Sequence, residues 1–209
     1  MKNEHFAVED FIDWLNIKFL FHTTWQINAE VLKKDSELLV ELTEKKEQMS
    51  KWAKELLRPA YIYIMVGECF DFSNLDKLSK INPLAYQVVT LGMEAVLKAK
   101  DLKENGEYLD YFYWHGFCSA LTEALAARVH AMVRVDLGLE KENEQSPERE
   151  FKQEFPGKRL SFGYEALPDM REQIEVLQIL QAQKIGITAT ESGMLEPEYS
   201  TCAVVVGNG

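Results

Sequence analysis

Apolar residues recur at helical spacing over two long stretches of the chain. From Ser36 to Leu57 the positions Leu38, Leu39, Leu42, Met49, Trp52 and Leu56 fall near one face and predict an amphipathic helix. Arg58-Pro59 ends it, because the residue before a proline avoids the helical region. From Tyr108 to Leu137, Leu109, Phe112, Tyr113, Phe117, Leu121, Ala124 and Leu125 predict the longest helix, with Gly138 as a left-handed stop. Gly116 and the alanines on it leave room for another backbone to pack closely. Val8 to Phe21 is apolar but mixes the two periodicities.

Ala60 to Cys69 is rich in Tyr, Ile and Val in an unbroken apolar run, which predicts a strand buried on both faces. A second strand is expected near Ala85 to Met93, then a short helix over Glu94 to Lys103 closed by the Asn105-Gly106 turn. Lys141 to Glu154 is charged and reads as a surface connection, with Ser146-Pro147-Glu148 starting a short helix. Pro168-Asp169 starts another helix, running to about Leu180. Ile187 to Met194 and Ser200 to Val206 read as two strands around Glu196-Pro197-Glu198. No repeat or flexible linker interrupts this order. The fold class expected is α+β: a single domain over 1–209, with a twisted antiparallel sheet and several helices. Residues 1–58 would be a mainly helical lead-in, and 59–209 would hold the sheet, the long helix and a ligand loop.

Composition narrows the function classes. The formal net charge of -11 argues against nucleic-acid binding, which needs a basic face to neutralise phosphates. No stretch is apolar and long enough to cross a bilayer, and the N-terminus lacks the plan of a signal peptide, so a cytoplasmic protein without membrane partners is expected. Cys69, Cys118 and Cys202 are odd in number and far apart, which indicates neither a disulfide framework nor a zinc site. His115 and His130 lie on a helix with no cysteine or carboxylate at metal-ligand spacing and read as structural. No catalytic residue and no metal site is expected.

The chemistry concentrates in Arg159-Leu160-Ser161-Phe162-Gly163-Tyr164. An arginine offers a flat fork of donors that matches a carboxylate. A glycine allows φ > 0 or close backbone approach, and a tyrosine adds an aromatic wall with a polar tip. Together they suggest a backbone-lined site for a small zwitterionic ligand. Arg159 could equally sit in a surface ion pair, and Tyr164 could be a half-buried core residue. Glu123, flanked by Ala120, Ala124 and Leu125, either borders the buried face or is solvated.

The segment resembles the Arg-x-x-x-Gly-Tyr-Pro-Ala-Cys-Pro signature of the activation domain of cobalamin-dependent methionine synthase. Arg159, Gly163, Tyr164, Ala166 and Pro168 match, while Glu165 replaces the first proline and Leu167 the cysteine. Leu121 to Ala126 followed by His130 resembles the family's long helix, Thr190-Glu191-Ser192 with Pro197 and Ser200 its strand pair, and the stretch around Trp14 its aromatic-rich start. The resemblance implies that Arg159 takes the carboxylate of S-adenosylmethionine. Ser161, Gly163 and Tyr164 would meet its adenine or ribose, and Glu123, with Glu154 as a further acidic candidate, its positive groups. The function implied is presentation of the methyl group for reductive remethylation of inactive cob(II)alamin. The chain has no Asp-x-His-x-x-Gly motif, so cobalamin would come on a cobalamin-binding domain in cis or in trans, with a flavodoxin-like electron donor. A non-catalytic module of the same fold, or a free-standing S-adenosylmethionine methyltransferase, are the alternatives. The second would normally open with a strand and a Gly-rich turn, which this chain lacks.

Overall fold

The computed structural model describes residues 1–18, 21–67, 78, 81–152 and 155–207. Five strands form one antiparallel sheet: β1 (Lys2–His5), β2 (Ala60–Met65), β3 (Pro83–Thr90), β4 (Lys158–Ser161) and β7 (Ser200–Val206). Their spatial order is β1-β2-β3-β7-β4. A separate two-stranded hairpin joins β5 (Thr188–Ala189) to β6 (Leu195–Glu196). The helices are α1 (Ile12–Lys18), α2 (Phe21–Thr24), α3 (Ala29–Leu32), α4 (Ser36–Leu56), α5 (Met93–Glu104), α6 (Tyr108–Asp136), α7 (Pro147–Lys152) and α8 (Glu172–Leu180).

Both faces of the sheet are covered, which is why its central strands carry apolar runs instead of alternating with polar residues. On one face Tyr61, Tyr63, Val89 and Val205 pack with Phe117, Leu121 and Leu125 of α6 and with Leu42 and Met49 of α4. On the other, Ile62, Ile64, Tyr86, Val88 and Val204 pack against Val176, Leu177 and Leu180 of α8. The second half of α6 is buried almost all round, and Gln87 Nε2 on β3 donates to the Ala126 carbonyl to tie that helix to the sheet. The helix ends with the N–H groups of Gly138 and Leu139 bonded back to Val135 and Arg134, which satisfies its last carbonyls.

The helices α4, α5, α6 and α7 and the strand β7 lie where the apolar pattern and the cap and turn residues put them. Five elements differ. β1 has no apolar pattern, because all four of its residues are exposed at the sheet edge. Pairing to β2 creates it, so the lead-in contributes a strand as well as helices. β2 stops at Met65, with Val66 and Gly67 in a turn; the remainder of the strand expected to Cys69 lies outside the described residues. β3 ends at Thr90, and Met93 already begins α5. The strand expected over Ile187 to Met194 is only Thr188–Ala189, because Thr190 to Gly193 turn back through the bonds Gly193 N–H to Thr190 O and Thr190 N–H to Met194 O. α8 starts at Glu172, after a turn in which Asp169 Oδ1 accepts the Arg171 N–H.

Candidate functional site

Arg159 to Ser161 lie in a strand, and Phe162 to Tyr164 turn out of it. β4 pairs with the outer edge of β7, Arg159 opposite Val205 and Ser161 opposite Ala203. Since β4 ends at Ser161, the outer edge of β7 over Ser200, Thr201 and Cys202 has no strand partner among the described residues. A cavity of about 820 Å³ opens there. Its walls are Ser161, Phe162 and Tyr164 after β4, Met170 and Gln173 at the start of α8, the β5–β6 hairpin, Glu198, and Glu123 of α6. An open sheet edge presents backbone donors and acceptors, and pockets beside it select side groups.

Three of the residues singled out from the sequence, Glu123, Ser161 and Tyr164, line this cavity. Tyr164 is 72% exposed and stands at its mouth, so the half-buried core alternative does not apply. Gly163 is placed differently from expectation. It does not line the cavity, and its N–H is taken by the Leu167 carbonyl at 2.7 Å. It has φ +84, and a Cβ there would lie 3.0 Å from Met170 Cγ, so the glycine serves the turn and its packing on Met170. Leu167 closes the same turn and is buried in the second core. Glu154 lies outside the described residues.

Arg159 and Glu123 are brought together: Arg159 Nη2 donates to Glu123 Oε2 at 2.5 Å. The guanidinium is 18% exposed and the carboxylate 54%. Arg159 is therefore engaged by Glu123, itself a residue singled out, and not held free for a ligand carboxylate. The engagement uses one nitrogen only. Its Nη1 is buried without a hydrogen-bond partner among the described residues. A buried donor of this kind costs free energy until an acceptor reaches it.

Behind Arg159, α6 carries a buried polar cluster. Arg134 bonds Glu140 through Nε at 2.8 Å and Glu150 through Nη2 at 3.0 Å, stacks on Phe155, and donates through Nη1 to His130 Nδ1 at 2.9 Å. That bond makes Nδ1 an acceptor, so His130 is neutral. Burial, and the charges of Arg134 and Arg159, hold its pKa below the ordinary value, partly opposed by Glu150. The cluster fixes α7 against α6.

The sequence reading missed Gln173, Glu196 and Glu198 as cavity residues. Gln173 Nε2 donates to the Gly193 carbonyl at 2.6 Å, bonding α8 to the hairpin turn. There Gly193, at φ +90, lets the turn pass so close that a Cβ would lie 2.4 Å from the Met170 oxygen. The signal that could have found the glutamates is the Glu-Pro-Glu loop leading straight into β7. Cys118 and Cys202 are free and buried, and among the described residues no group of His, Cys, Asp or Glu is arranged to hold a metal. No helix of the described residues is long and apolar enough to cross a membrane.

The fold is an α+β domain with a cavity where its antiparallel sheet loses its edge strand. A family model described as vitamin B12 dependent methionine synthase, activation domain, matches residues 67–209, and the chain belongs to that family. It is 34% identical over 134 residues to the methionine synthase of Mycobacterium leprae (strain TN), and 34% identical over 133 residues to that of Mycobacterium tuberculosis (strain ATCC 25618 / H37Rv). Each match covers 61% of this chain and 11% of the relative, so the chain spans a small part of those proteins. Its fold matches the crystal structure of the MetH reactivation domain bound to AdoHcy with a TM-score of 0.77 at 19% identity, over 99% of this chain and 78% of that one.

Proposed function

We propose that the chain binds S-adenosylmethionine in the cavity at the open edge of β7 and presents its methyl group for reductive remethylation of inactive cob(II)alamin. The observation that carries this reading is the meeting of Glu123, Ser161 and Tyr164 around one cavity, beside the half-satisfied Arg159, in a chain of the activation-domain family. The orphan Nη1 of Arg159 fits a ligand carboxylate, and the carboxylate-bearing walls fit the ligand's ammonium and sulfonium groups. Tyr164 at the mouth supplies a face for the adenine. Of the residues assigned to the site, Gly163 would act through the shape of the turn, and Glu154 remains an acidic candidate beside Arg159 in sequence.

In this reading the protein contributes binding and orientation. Cobalamin, carried by a cobalamin-binding domain in cis or in trans, supplies the metal that accepts the methyl group, and a flavodoxin-like donor supplies one electron. The whole of 1–209 would act as one unit, with the lead-in helices packed on α6. Calorimetric titration of the chain with S-adenosylmethionine tests the reading: one site per chain is expected, and absence of heat with no protection against unfolding overturns it.

A second reading, a non-catalytic module, draws on the Arg159–Glu123 pair and on the inward-facing Leu167. It predicts no ligand affinity. The free-standing methyltransferase is disfavoured by the sheet, which is antiparallel throughout its described pairings and has no doubly wound parallel core.

A further inference from the structure

The cavity walls carry three carboxylates, Glu123, Glu196 and Glu198, and no lysine, arginine or histidine among the described lining residues. Glu123 is committed to Arg159. Glu198 lies 3.8 Å from His115 Nδ1, and His115 donates to, or accepts from, the Tyr199 hydroxyl at 3.0 Å. Arg159 is level with Val205 near the end of β7, whereas Glu196 closes β6 and Glu198 leads into the start of β7 at Ser200. Arg159 is not itself a lining residue, so the charged side chains that face the cavity are carboxylates.

We propose that Glu196 and Glu198 make the cavity selective for a sulfonium nucleoside over the corresponding neutral thioether, so that methyl donation itself weakens the ligand's hold. This inference rests on the S-adenosylmethionine reading above. When the methyl group leaves, the S–C bond breaks with its electron pair kept on sulfur, and the ligand loses one positive charge. The shape of the nucleoside and the amino-acid end is unchanged. Contacts to Arg159, Ser161 and Tyr164 are thus nearly the same for donor and product. Only groups that feel the charge at sulfur discriminate. Opposite charges a few ångströms apart attract appreciably at a partly dry protein surface, and this attraction is screened by salt. Product binding then competes less with a fresh donor.

The test is calorimetric titration of the full chain with S-adenosylmethionine and, separately, S-adenosylhomocysteine. The wild type should prefer the first. Glu198→Gln and Glu196→Gln should each weaken S-adenosylmethionine by about three- to tenfold, as expected for partly exposed charges, and leave S-adenosylhomocysteine unchanged. The double variant should lose most of the preference, and raised salt should lower the wild-type preference in the same way. Glu175→Gln, exposed on α8 and outside the cavity, controls for net charge and should leave the ratio alone. A ratio unchanged in both cavity variants, or equal weakening of both ligands, overturns the inference while leaving the proposed function standing. Failure of the wild type to bind either ligand removes both.

Discussion

Arg159 on the edge strand and Glu123 on the long helix are held together by a 2.5 Å ion pair at the side of the cavity, and the second guanidinium nitrogen is left buried without an acceptor among the described residues. The pair is a poor stability device, since the carboxylate is half exposed and the guanidinium is only half satisfied. In the proposed reading it holds the arginine in one orientation for a ligand carboxylate.

Arg159→Ala should therefore weaken S-adenosylmethionine binding by about tenfold or more, the usual scale for loss of a charge-assisted contact. Glu123→Gln should weaken it less, because the arginine keeps its own fork. Calorimetry on the two single variants and the double variant checks this, and equal single losses would refute the ranking.

Tyr164 is 72% exposed, so truncating it removes little buried area. Tyr164→Ala should change the unfolding free energy, read from denaturant titration, by no more than about 0.5 kcal/mol, the usual range for exposed sites. The same variant should lose ligand affinity, read in parallel titrations. A large stability loss would instead place the ring's role in the fold.

Two glycines should be intolerant of a methyl group for steric reasons. A Cβ on Gly193 would meet the Met170 backbone at 2.4 Å, and one on Gly116 would meet the Thr24 carbonyl at 2.6 Å and Trp25 Cδ1 at 2.9 Å. The latter contact is where the lead-in helices lie on α6, beside the Trp25 Nε1 bond to the Tyr113 carbonyl at 3.0 Å. Gly193→Ala and Gly116→Ala should each cost about 2 kcal/mol or more in urea unfolding.

Stability should fall on acidification through His130. Burial holds the folded histidine below its ordinary pKa of 6.5, so the unfolded chain takes up a proton first. The contribution is complete above pH 6.5 and declines as pH falls toward the folded value, at up to about 1.4 kcal/mol per pH unit. Glu150 acts in the same direction at lower pH. Burial would raise its pKa, but the charge and hydrogen bond of Arg134 oppose burial and it lies below its ordinary 4.5, so its contribution is lost as pH falls beneath that value. Comparing urea midpoints at pH 7.5, 6.0 and 5.0 should show a shallower slope in His130→Asn than in the wild type.

Local order along the chain was enough for α4, α6 and β7. Their apolar periods run long enough to set the element, and Gly138 marks its end chemically. The unbroken apolar run of β2 likewise announced burial on both faces. The same local reading singled out Arg159 and Tyr164, because charge, aromatic and glycine stood together in one segment, while the ligand roles of Ser161 and Glu123 came from the family resemblance. What it could not supply was anything created by pairing between distant segments. β1 has four exposed residues and becomes a strand only by bonding to β2. β4 exists because β7 offers it an edge, and the cavity exists because β4 stops three residues short of the start of β7. Glu196, Glu198 and Gln173 enter the site only when the hairpin folds against α8, a contact between segments whose sequences carry no mark of one another. Side-chain chemistry is a property of single residues and can be read in order. A site is a distance between residues, and distance across a sheet edge is set by hydrogen-bond register and packing.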